Sequence, residues 1–171
     1  MNELKKNKNE SFFSSPIKLS SNHLLAIEGM EKSEIQKLIE RADYFANLDR
    51  HTNTKVLQGY VVLNVFFENS TRTRVSFELA ARRLGAEVIN ISLINSSIKK
   101  GESLLDTAST LNAMRPDLLI VRHPHSGAPL LFADYLNCSI INAGDGRHEH
   151  PTQALLDALT IKRRVGYLEG L

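Results

Sequence analysis

The stretch VVLNVFF at residues 61–67, followed at once by ENSTRTR at 68–74, decides how this 171-residue chain is read. Apart from Asn64 every residue of 61–67 is aliphatic or aromatic, with none of the polar alternation of a half-exposed strand. Such a run predicts a strand buried on both faces, the kind found in parallel sheets. The polar residues after it lead into a helix from about Thr71 to Leu84, and Gly85 suits the left-handed end of that helix.

Working outward, strand and helix patterns alternate. EVINIS at 87–92 predicts a second strand, and a helix from about Ser103 to Met114 is stopped by Pro116. DLLIV at 117–121 gives a third strand, PLLFADYL at 129–136 a helix, and CSIIN at 138–142 a fourth strand that contains Cys138. PTQALLDALTIKRR at 151–164 is a helix with Pro151 in its first turn. Upstream, Ile35, Leu38, Ile39, Ala42, Phe45 and Ala46 recur at helical spacing and predict an amphipathic helix over Glu31 to Leu48. Right-handed crossovers between such strands build an α/β fold, a doubly wound parallel sheet of about four strands with helices on both faces. Residues 1–20 read as a flexible N-terminal tail and 21–171 as one domain.

Composition narrows the function. No apolar run approaches the ~20 residues of a membrane span, and Lys5, Lys6 and Lys8 are not followed by the apolar stretch of a secretion signal. The single Cys138 cannot close an intramolecular disulfide, which suits the cytoplasm. A net charge of +2 gives no general pull on a polyanion. Arg72, Arg74, Arg82 and Arg83 share one helix, but the aromatic residues lie in apolar runs and are not interleaved with them as stacking platforms, so no nucleic-acid partner is expected.

Ligands of doubly wound sheets bind beyond the carboxyl ends of the strands. Four polar loops fall there: ENSTRTR, the segment around Ser96 to Gly101, RHPHSG at 122–127 and AGDGRHEHPTQ at 143–153. Ser70, Thr71, Arg72 and Thr73 at a strand-to-helix turn offer backbone N–H groups, hydroxyls and a guanidinium to one anion; they also fit a plain helix cap with solvated arginines. Neither a Walker loop nor a dinucleotide fingerprint is present, since GxxxxGK[ST] is absent and Gly144 and Gly146 lack a third glycine. Arg122 ends the third strand. His150 precedes Pro151 at a helix start, where the dipole favours a neutral ring, and Gln153 lies one turn on; capping alone would also account for that histidine. The pairs His123 with His125 and His148 with His150 lack a third ligand, so neither a metal nor another cofactor is expected.

Taken together, FFENSTRTRVSFE (66–78), KKGESLLDT (99–107), VRHP (121–124) and NAGDGRHEHPTQALLDALTI (142–161) resemble the aspartate and ornithine carbamoyltransferase family. NAGDG followed by HPTQ favours the aspartate branch over the ornithine one. The resemblance implies an enzyme that transfers a carbamoyl group from carbamoyl phosphate to the amine of L-aspartate, the committed step of pyrimidine synthesis. It assigns Ser70, Thr71, Arg72 and Thr73 to the phosphate and lets Arg122 bridge phosphate and carbonyl. His150 and Thr73 would hydrogen-bond the carbonyl oxygen, and Gln153 would orient the carbamoyl amino end. Ser96 and Lys100 would reach a neighbouring subunit's site in a homotrimer, to which regulatory subunits can attach.

Family members are about twice this length. The resemblance therefore implies that residues 21–171 are a carbamoyl-phosphate-binding domain lacking its aspartate-binding partner domain, and that this chain by itself shows little or no turnover. A noncatalytic carbamoyl-phosphate-binding module is the alternative from a different functional class.

Overall fold

A computed structural model describes residues 17–49, 52, 54–93 and 103–170. In chain order they form α1 (Lys32–Asn47), β1 (Val61–Phe66), α2 (Thr71–Arg83), β2 (Glu87–Ser92), α3 (Leu104–Ala113), β3 (Leu118–His123), α4 (Ala128–Tyr135), β4 (Ser139–Asp145) and α5 (Pro151–Val165). The four strands make one parallel sheet in the order β2-β1-β3-β4. The α/β alternation, the parallel pairing and the strand number follow the sequence reading.

Alternation along β1 sends successive side chains to opposite faces and divides the core in two. Leu63 and Val65 join Leu119, Val121 and Ile140 beneath Ala108 and Leu111 of α3, Phe132 of α4 and Leu136 just after it. Val62 and Phe66 point the other way and pack with Ile120 and Ala143 against Ala81 of α2. Asn64 faces that second layer. Its buried amide donates to the Arg74 carbonyl in α2 (3.0 Å) and to Asn90 Oδ1 in β2 (2.8 Å), which lets a polar residue sit mid-strand.

β3 runs on to His123, one residue past Arg122, and three features of β4 also differ from expectation. β4 runs three residues past Asn142, because Asp145 still pairs with His123 across an irregularity in the ladder. At its other end β4 begins at Ser139, so Cys138 lies just before it rather than inside it, half-buried, where burial pushes its thiol pKa up. The outer edge of β4 is also covered. Leu24 bridges Ile141 in parallel, its N–H donating to Ile140 O (2.8 Å) and its carbonyl accepting the Asn142 N–H (2.9 Å). A single bridged residue carries no periodic signal, so the pattern of residues 21–28 did not announce it.

Of the tail assigned to residues 1–20, positions 1–16 lie outside the described residues. Ser20 N–H and Oγ both donate to the buried Glu34 carboxylate at the start of α1. Among the described residues no helix is long and apolar enough to cross a membrane.

Candidate functional site

The site grows from the carboxyl ends of β1, β3 and β4, where the strands hand the chain to polar loops and helix N-termini. β1 ends at Phe66, in register with Arg122, and the Phe67 N–H donates to the Arg122 carbonyl (3.0 Å). This bond lays the 67–70 loop beside β3. Ser70 then occupies the N-cap of α2 but makes no side-chain capping bond. Its hydroxyl and the first N–H groups of the helix are left for another acceptor, as an anion site requires. Thr71 and Arg72 are exposed there and Thr73 is half-buried.

The Arg122 guanidinium lies across the β3 and β4 ends. Nη1 donates to the Ala143 carbonyl (2.9 Å) and Nε pairs with Glu68 Oε1 (2.5 Å). Glu68 belongs to the polar loop after β1 yet was not among the expected site residues. Its only signal in the sequence was an acidic side chain next to a basic, hydroxyl-rich turn. Gly144 makes room for Arg122: a Cβ there would lie 2.5 Å from Arg122 Nη1 and 3.5 Å from His150 Cδ2, and its φ of +113° favours glycine. Arg122 and His150 therefore flank one glycine.

The loop after β4 ends in His150, the N-cap of α5, with Pro151 as the first helical residue. Its carbonyl accepts the N–H groups of Gln153 (3.0 Å) and Ala154 (3.1 Å), while Nδ1 stands 3.4 Å from Thr152 Oγ1. Burial first, and then the Arg122 charge, hold the imidazole pKa below its usual 6.5. The ring is neutral near pH 7 and has one N–H to donate. Gln153 is exposed and its amide donates to Asp157 Oδ1 (2.9 Å) along its own helix.

Beneath these groups His123 is 6% exposed, and its Nδ1 accepts the His125 N–H (3.0 Å). An accepting Nδ1 leaves the proton of a neutral ring on Nε2. The ring packs edge-on against Phe67 and His125, with centroids 4.6 and 5.2 Å apart, and burial again lowers its pKa from 6.5. Among the described residues no group of three or more His, Cys, Asp or Glu side chains could hold a metal ion. Ser96 and Lys100 lie outside the described residues.

Cavity size points elsewhere: hollows of about 450 and 460 Å³ open between α1 and α2 and beneath residues 167–169. The one at the turn before α2, lined by Glu68, Ser70, Thr71 and Arg74 among others, is only about 30 Å³. The chemistry decides against size here. The two large hollows are mostly apolar, whereas the small one lies beside the Glu68 carboxylate that occupies Arg122.

Residues 22–163 match the family described as aspartate/ornithine carbamoyltransferase, carbamoyl-P binding domain. The chain belongs to the aspartate/ornithine carbamoyltransferase family. Among its relatives, an aspartate carbamoyltransferase catalytic subunit of Rhodospirillum rubrum is 62% identical over 151 residues, covering 87% of this chain and 47% of that protein. One from Jannaschia sp. is 58% identical over 154 residues, with 89% and 49% covered. The catalytic subunit of M. jannaschii aspartate transcarbamoylase superposes with a TM-score of 0.80 at 42% identity, over 88% of this chain and 50% of that one. The chain thus spans about half the length of the curated relatives it matches.

For this family member, both histidines have one consequence for stability. An unfolded chain binds a proton to each near pH 6.5, whereas the folded chain resists until lower pH. The unfolded state therefore holds more protons in that window, and stability falls as pH drops below about 6.5. Urea titrations from about pH 7.5 to about pH 5.5 should give a midpoint that decreases steadily on acidification. A midpoint that rises would contradict the burial of both rings.

Proposed function

We propose that this chain is the carbamoyl-phosphate-binding half of an aspartate carbamoyltransferase, which moves the carbamoyl group of carbamoyl phosphate to the amine of L-aspartate. The observation that carries the reading is the meeting of Arg122 and His150 across Gly144, tied through Glu68 to the turn that begins α2. A dianion bound there would take the unfilled N–H groups of α2, the hydroxyls of Ser70, Thr71 and Thr73, and the Arg72 guanidinium, with Arg122 released from Glu68.

In this reading the amine nitrogen attacks the carbonyl carbon, and the electron pair of the C=O bond moves onto oxygen. Arg122, Thr73 and the neutral His150 donate hydrogen bonds to that oxyanion; preorganised donors of this kind are worth about 3 to 4 kcal/mol each. Collapse of the intermediate breaks the carbon–oxygen bond to phosphate, and the departing phosphate accepts the amine proton. Positioning and charge stabilisation then carry the reaction without a covalent enzyme intermediate. A neutral imidazole suits this task, because it donates without competing with Arg122 for the phosphate. Gln153 would turn from Asp157 to the carbamoyl amino group when the ligand arrives. Ser96 and Lys100 of a neighbouring subunit would complete the site in a homotrimer, and the single cysteine suits a cytoplasmic setting.

The choice of aspartate as acceptor rests on NAGDG with HPTQ and on relatives named for that reaction. Calorimetry of the 171-residue chain with carbamoyl phosphate and with inorganic phosphate tests the reading. Donors aimed at the carbonyl oxygen should favour carbamoyl phosphate by about tenfold, the value of roughly one charge-assisted hydrogen bond. Equal affinity for the two ligands would sink it.

A further inference from the structure

Glu149, the residue before His150, is held at every polar part. Its N–H donates to Asp145 Oδ1 (3.1 Å), and its carbonyl accepts the Asp145 N–H (3.1 Å) and Asn142 Nδ2 (3.3 Å). Its carboxylate accepts the N–H groups of Ile27 (3.0 Å) and Glu28 (3.3 Å), in the segment whose Leu24 bridges β4. The carbonyl of Glu149 belongs to the peptide plane that continues into His150, so clamping it sets the direction in which the imidazole leaves the chain.

Asp145 is the hub of this clamp. It is 2% exposed, and besides Glu149 its carboxylate accepts the Gly127 N–H (2.8 Å) and Asn142 Nδ2 (2.9 Å), with His148 Nδ1 at 3.3 Å. Gly127 stands in the loop after β3, and the N–H of Gly146 donates back to the His123 carbonyl (3.0 Å) beside Arg122. One buried carboxylate thus ties the loop that follows Arg122 to the loop that ends in His150. Burying a charge in this way is expensive, and core packing alone would be served as well by an apolar residue.

We propose that Asp145 and Glu149 are positioning residues for His150: together they fix the peptide that presents its imidazole beside Arg122, braced against residues 24–28. The proposal rests on the reading that His150 donates to the carbonyl oxygen of carbamoyl phosphate. Misplacing a reacting group by an ångström can cost as much as 100-fold, so the clamp should be legible in ligand discrimination.

The test uses Asp145→Asn and Glu149→Gln in the 171-residue chain, with carbamoyl phosphate and inorganic phosphate as probes and the His150 ring shifts followed by NMR. Asp145→Asn should weaken carbamoyl phosphate by about tenfold and inorganic phosphate by less than about twofold, and should move the ring shifts of His150. Glu149→Gln should do the same more weakly, by about threefold, and it carries the test if Asp145→Asn shows no cooperative melt. A wild-type chain with no preference between the probes would count against the functional reading itself. A wild type with that preference, kept intact in a folded variant with unmoved His150 shifts, would overturn the positioning roles even if the variant melts earlier.

Discussion

Gly144→Ala is expected to abolish measurable carbamoyl phosphate binding and to lower the stability of the domain. The added Cβ would sit 2.5 Å from Arg122 Nη1 and 3.1 Å from Cζ, inside van der Waals contact, on a backbone held at φ +113°. Two costs add. An alanine forced into that conformation is strained by about 1 to 3 kcal/mol, and the guanidinium must leave the Ala143 carbonyl to make room. The second cost falls on function, because Arg122 loses the anchor that holds it beside His150. Thermal melts with calorimetry on one preparation separate the two effects. Near wild-type affinity in a destabilised variant would mean that Arg122 can move aside without consequence, which would detach it from the ligand.

Arg122→Ala should weaken carbamoyl phosphate by about 100-fold, roughly 3 kcal/mol, the scale of two hydrogen bonds from a charged donor. Inorganic phosphate should lose nearly as much, because the same charge meets the phosphoryl group. The substitution also frees Glu68, whose side chain is about one third exposed, so water can solvate the unpaired carboxylate and the fold should survive. A second readout is local. With the guanidinium gone, the His150 pKa should rise toward 6.5 without reaching it, because burial is the larger cause of its depression and persists. An NMR pH titration of the His150 ring checks the direction. An unmoved ring titration would show that the two side chains do not share one electrostatic environment.

Much of this molecule could be read from residue order, and particular elements show why. EVINIS at 87–92 is observed as β2 with those bounds, and the helix that begins at Pro151 is observed within one residue, since Pro and Gly punctuate them locally. Ser70, Arg122 and His150 were legible as rim residues because the strand-to-helix switches place them there. The reading broke down where the deciding partner is far away in sequence. β4 extends to Asp145 because His123 pairs with it, although NAGDG alone looks like a turn. Glu68 is tied to a guanidinium 54 residues on, and nothing near it in the chain signals that distance.

Periodicity, turn chemistry and motif order were enough to establish an α/β sheet and the rim on which its polar loops collect, because those are properties of neighbouring residues. Strand order, the pairing of Glu68 with Arg122, the opening that Gly144 leaves between Arg122 and His150, and the Asp145 clamp required the folded chain. Each of these is a distance between segments that chain order leaves free, and close packing of the sheet and its helices sets that distance to within a hydrogen bond.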